Sequence, residues 1–146
     1  MWRFISTSTA FSLNGALPAW LVAHSFGCLA AVLAGTARPD RVAGALLVAP
    51  ADPARFGLEA ALPVEALPFP SIVVGSEDDP WMSLAQAALW SERWGSRFIN
   101  LGRAGHINTE SGYGPWPYGF ELMRTLQAGA SKALERRCEF LQNPTT

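Results

Sequence analysis

Seven consecutive residues, Val42-Ala43-Gly44-Ala45-Leu46-Leu47-Val48, carry no polar side chain. A strand with one wet face alternates apolar and polar residues, so a run without alternation belongs to a strand covered on both faces, as in a parallel sheet flanked by helices. Trp20-Leu21-Val22-Ala23 and Ser71-Ile72-Val73-Val74-Gly75 have the same character, and Arg97-Phe98-Ile99-Asn100-Leu101 makes a fourth strand. The stretch Cys28 to Ala34 reads as a buried helix, with Gly35 and Arg38-Pro39-Asp40 as its stop and turn. Ser83-Leu84-Ala85-Gln86 has the form of a capping box and opens a helix that runs to Trp94 and stops at Gly95. A last helix starts at Pro117, where a missing N–H costs nothing, with Phe120, Met123, Leu126 and Ala130 on one face. The order β-α-β-loop-β-α-β-loop-α predicts an α/β fold with a mostly parallel sheet and helices on both of its faces.

The chain has 146 residues, enough for one domain with a real core. The expected division is a poorly specified segment over residues 1–17, an α/β domain over 18–137 and a frayed tail over 138–146. Eleven basic against twelve acidic residues leave no electrostatic footprint for nucleic acid or an anionic membrane, so a small molecule or a protein is the expected partner. Cys28 and Cys138 offer neither a metal-ligand spacing nor a disulfide framework, and they suit a reducing cytoplasm. The segment from Pro50 to Pro70 is rich in proline and poor in periodicity, a long loop with a helical turn near Leu58-Glu59-Ala60-Ala61.

Between the first strand and the first helix stands Ala23-His24-Ser25-Phe26-Gly27. A strand, a tight turn and a helix are the setting of the nucleophile elbow G-x-S-x-G, in which small residues two positions either side of the serine relieve crowding across the turn. Gly27 meets that requirement, and Ala23 replaces the first glycine with a methyl group. The backbone N–H of Phe26 would open the helix and point toward a developing oxyanion.

A serine hydroxyl needs a base to take its proton and a carboxylate to orient that base. In such elbows the chain order is Ser, then Asp or Glu, then His, each on a loop at the carboxyl end of a strand. His106, in Gly102-Arg103-Ala104-Gly105-His106 after the last strand, is the better base. His24, beside the serine, is expected to pack or hydrogen-bond. Asp78 and Asp79 both follow the strand ending at Gly75. Pro80 restricts Asp79 to extended geometry, which favours Asp78 as the acid and leaves Asp79 to shape the turn, with Glu77 as a third option. Trp81 and Trp116 lie on loops beside the acid and the base and are candidates for an apolar substrate pocket.

The segments Leu21-Val22-Ala23-His24-Ser25-Phe26-Gly27-Cys28-Leu29, Ala45-Leu46-Leu47-Val48-Ala49-Pro50, Leu67-Pro68-Phe69-Pro70-Ser71, Asp78-Asp79-Pro80-Trp81 and Gly105-His106-Ile107-Asn108 resemble the retinoblastoma-binding-protein/YdeN-type serine hydrolases. Glu110-Ser111-Gly112-Tyr113-Gly114-Pro115-Trp116-Pro117 is similar to the bacterial branch of that family. The resemblance covers Pro18 to Leu126. It implies a small α/β-hydrolase fold, a Rossmann-like three-layer sandwich with a mostly parallel sheet, and a triad carried onto Ser25, Asp78 and His106. It also implies hydrolysis of carboxylic esters or amides through an acyl-enzyme, with no metal or cofactor. Members of the family carry a further strand-helix-strand segment before the elbow, whose first loop donates a second oxyanion N–H. Residues 1–17 show no such pattern, which predicts an exposed apolar sheet edge and three explanations for it: a misassigned start, a homodimer or protein partner across the gap, or a degraded enzyme. The alternative to a hydrolase is accordingly an interaction module that keeps an impaired triad.

Overall fold

A computed structural model describes residues 17–142. The sequence reading of residues 1–16 and 143–146 lies outside the described residues. Four strands, β1 (Ala19–Ser25), β2 (Val42–Pro50), β3 (Ser71–Gly75) and β4 (Arg97–Asn100), form one sheet in the order β1-β2-β3-β4. Every pair is parallel, with Leu21 opposite Ala45, Leu47 opposite Val73, and Val73 opposite Phe98.

The unalternated run in β2 is buried through Gly44–Pro50, and its two faces meet different layers. Ala45 and Leu47 pack with Cys28, Leu29 and Val32 of α1 (Phe26–Ala37) and with Ala87 and Trp90 of α2 (Leu84–Arg93). Leu46 and Val48 pack with Leu122 and Leu126 of α3 (Pro117–Gln142). The sequential strand order puts α1 and α2 on the same face, as right-handed crossovers require. The loop from Ala51 to Pro70 follows suit, sending Leu62, Leu67 and Phe69 into the same layer. Gly35 lets α1 sit down on that loop, because a Cβ there would lie 2.8 Å from the ring of Phe69.

Two local expectations change. The start of α3 at Pro117 agrees, but its buried face is Gly119, Leu122 and Leu126, while Phe120 is 73% exposed. Gly119 fits directly under the ring of Trp116, and this close approach turns the helix so that Phe120 faces out. The helix also continues past Arg137 to Gln142, so residues 138–142 are helical. From Ala130 to Gln142 there is no proline or glycine, and Ala, Leu, Glu, Lys, Arg and Gln predominate, all good helix formers. In the long loop, a 3₁₀ turn forms at Pro53–Phe56, capped by Asp52 accepting from the Ala54 N–H, while residues 58–62 make a single hydrogen-bonded turn.

Among the described residues β1 pairs only with β2, and Val22 is exposed on it. No helix among them is long and apolar enough to cross a membrane.

The rotated face of α3 is testable. Leu122→Ala should destabilise the protein by about 2–5 kcal/mol, and Phe120→Ala by no more than about 0.5 kcal/mol, in urea unfolding followed by circular dichroism. Equal costs would contradict the packing of this helix.

Candidate active site

Ser25 ends β1 and immediately precedes α1, with φ 55° and ψ −129°. Such a positive φ is costly for a residue with a Cβ, of the order of 1–3 kcal/mol, and holds only where the surrounding structure imposes it. Here β1 is locked to β2 and α1 is buried on the sheet, so the chain must turn within one residue. The small residues flanking the turn leave room to spare. A Cβ at Gly27 would lie 4.0 Å from that of Ala23, an ordinary contact, so a methyl group at that position would not collide.

His106 reaches Ser25 from the loop after β4. Its Nε2 lies 2.9 Å from Ser25 Oγ, and its Nδ1 lies 3.0 Å from each carboxylate oxygen of Asp79. With Nδ1–H donating to the carboxylate, Nε2 carries the lone pair and accepts the serine O–H. The Asp79 side chain is 2% exposed, and its Oδ1 also accepts from the Trp81 N–H at 2.9 Å.

This differs from the expectation that Asp78 faces the imidazole. It is the Asp79 carboxylate that meets the imidazole, while Asp78 bonds to the backbone one residue before it. The restriction that Pro80 places on the preceding residue does not aim Asp79 away. It lets one carboxylate close the turn on Trp81 and hold His106 at the same time. Asp78, 38% exposed, accepts from the Gly105 N–H at 2.7 Å and the Ser76 hydroxyl at 3.0 Å, with Arg103 at 3.5 Å. The Gly105 N–H foremost, then Ser76 and Arg103, hold the Asp78 carboxyl below the usual carboxylate range. Glu77 accepts from the side chain of Asn100 instead.

The His106 loop is held at successive residues. The buried Ser76 hydroxyl accepts from the Ala104 N–H at 3.0 Å, Asp78 takes Gly105, and His24 Nε2 donates to the His106 carbonyl at 2.7 Å. Ile107 then anchors the turn in the core at φ 47°, a strained value for a β-branched residue. Gly105 takes φ 56°, and a Cβ there would lie 2.7 Å from that of Ser111. Asn108 and Ser111 close the next turn with a reciprocal capping box. Burial lowers the His24 pKa below its ordinary value, the hydrogen bond to His106 opposing this only in part. His24 therefore packs and hydrogen-bonds, as its position beside the serine suggested. Cys28, just beyond the elbow, is buried with its thiol directed at the Val48 carbonyl, and burial pushes its pKa up, so no second nucleophile competes there.

Around the serine the surface is aromatic. Phe26, Phe56 and Trp81 are each about half exposed; Phe26 and Phe56 meet edge to face at 4.9 Å, and the Trp81 ring lies 6.2 Å from that of His106. Trp116 lies elsewhere, against Gly119 and between Tyr113 and Tyr118 in the α3 layer. Its position in the sequence near His106 did not bring it to the rim, because the capped turn at 108–112 carries the chain away. Among the described residues no three His, Cys, Asp or Glu side chains gather as metal ligands.

The sequence model of the serine hydrolase family matches residues 11–125. The chain belongs to the serine hydrolase family. It is similar to the solved structure of a protein described as a YdeN-like hydrolase from Pectobacterium atrosepticum, at 38% identity and a TM-score of 0.73, over 76% of this chain and 60% of that one. A CIB-like hydrolase from Thermoplasma acidophilum shares the fold at 21% identity and a TM-score of 0.58, over 81% of this chain and 53% of that one. An esterase domain from Rhodothermus marinus does so at 18% and 0.56, over 77% and 59%. This member of the serine hydrolase family thus has an α/β-hydrolase fold and spans about 60% of the length of its YdeN-like relative. No curated protein matches it.

The clamp from His24 has a pH signature. Because its folded pKa is lowered from 6.5, the unfolded chain binds the proton more readily, so this contribution to stability is present above pH 6.5 and is lost as pH falls through the folded pKa. His24→Gln should flatten that part of the dependence of Tm on pH between about 5 and 7.5, measured by scanning calorimetry.

Proposed function

We propose that this chain is a serine esterase working through Ser25, His106 and Asp79. The observation that carries this reading is the unbroken hydrogen-bond chain from the Ser25 hydroxyl through both nitrogens of His106 to the buried Asp79 carboxylate. His106 Nε2 takes the hydroxyl proton as Oγ attacks the acyl carbonyl. Asp79 holds the ring in the tautomer that leaves Nε2 free and stabilises the imidazolium that forms. The carbonyl oxygen becomes an oxyanion, and the N–H of Phe26, first in α1 and without an acceptor inside the helix, supplies one donor at the helix's positive end. Collapse breaks the acyl–oxygen bond, His106 returns the proton to the leaving alkoxide, and the acyl group stays on Ser25. Water then repeats the sequence in place of the serine and releases the acid. Amides would use the same residues, but their poorer leaving groups make esters the reaction this exposed site suits better.

In this reading Asp78 is a positioning residue, acting on His106 through Gly105. A fluorophosphonate probe should label the folded protein, and Ser25→Ala should abolish labelling. If labelling persists in Ser25→Ala, or is absent from the folded parent, the proposal fails. Asp79→Asn should lower kcat by about 10³–10⁴-fold by imposing the wrong tautomer. Asp78→Asn should cost far less, about tenfold, because Asn can still accept from the Gly105 N–H. The reverse order, in esterase assays of the two variants, would restore Asp78 as the orienting acid.

A further inference from the structure

Two neighbouring residues of the Pro53–Phe56 turn meet the aromatic side chains beside Ser25 and His106. Phe56 packs edge to face on Phe26, the residue following the nucleophile. Arg55 places its guanidinium over the Trp81 indole at 5.6 Å, and its Nη2 donates to the Pro80 carbonyl at 3.2 Å. Trp81 in turn borders His106. Among the described residues no carboxylate lies within ion-pair distance of Arg55. Asp79 is engaged with His106, and Asp78 with Gly105, Ser76 and Arg103. An exposed cation that is stacked on an aromatic face and tethered by one N–H has its remaining donors pre-oriented in a planar fork, a geometry that suits carboxylate recognition.

We propose that Arg55, stacked on Trp81, is the specificity determinant of this site and selects acyl groups that carry a terminal carboxylate. This rests on the serine esterase reading above. The aromatic walls from Phe26, Phe56 and Trp81 accept the methylene segment between the scissile carbonyl and the carboxylate, and Arg55 takes the far end. One guanidinium matches a single negative charge, which favours a carboxylate over a phosphate dianion. The sequence signal was slight: Arg55 sits in the long proline-rich loop, and only folding brings that loop beside Trp81.

Two esters of equal chain length separate charge recognition from apolar fit: the para-nitrophenyl half-ester of adipic acid and para-nitrophenyl hexanoate. The parent protein should favour the adipate ester in kcat/KM by about fivefold or more, the scale of one partly exposed charge-assisted contact. That ratio should fall to near unity in Arg55→Gln and remain intermediate in Arg55→Lys. In parallel, Ser25→Ala should bind monomethyl adipate in isothermal titration, and Ser25→Ala combined with Arg55→Gln should not. Turnover without an Arg55-dependent preference overturns this inference while leaving the role of Ser25 intact. Arg55-dependent binding without turnover in the parent supports carboxylate recognition and overturns the esterase reading. Absence of both turnover and binding overturns both.

Discussion

Burial of β2 on both faces is the constraint from which the other elements take their places. Its seven-residue apolar run cannot face water on either side, so one helical layer must cover Ala45 and Leu47 and another must cover Leu46 and Val48. Parallel pairing on both edges then commits β1 and β3 to ending at the same side of the sheet as β2. The loops after β1, β3 and β4 consequently emerge together, and Ser25, Asp79 and His106 stand on those loops. The site is a consequence of covering an apolar strand.

That rigidity also sustains strain around the candidate site. The non-glycine residues at positive φ among the described ones are Ser25, Ala49 and Ile107. Ser25 is the elbow, Ala49 lies next to Pro50, which is opposite Ser25 in the sheet, and Ile107 follows His106. Each conformation costs of the order of 1–3 kcal/mol and is imposed by the burial of the residues around it. Ala49 and Ile107 are themselves buried, so relaxing the backbone would pull them out of the core. The strain orients the serine and imidazole against each other at 2.9 Å instead of leaving them on free loops.

The adjacent carboxylates Asp78 and Asp79 divide the work of holding His106. Asp79 binds the ring, and Asp78 binds the backbone one residue before it. A single acidic pair in the turn after β3 thus addresses both the side chain and the loop that carries it. His24 adds a third hold from the elbow itself, linking the turn at Ser25 to the carbonyl of His106. His24, a neighbour of the serine, thus supports the site without meeting it directly, through the backbone of His106.

The amino-acid sequence alone determined the layered α/β class, the four strands, the turn at Ser25 and the chain order of the serine, the acidic pair and His106. These follow from apolar periodicity, turn chemistry and helix caps, which are local and written in consecutive residues. Tertiary structure decided what depends on direction: that Asp79 and not Asp78 meets His106, that Trp116 turns away into the α3 layer, that α3 buries Leu122 instead of Phe120, and that Arg55 comes to rest on Trp81. Which way a side chain points is set by the twist of its segment against neighbours distant in the chain. The spacing of residues along one strand or loop carries no record of those neighbours.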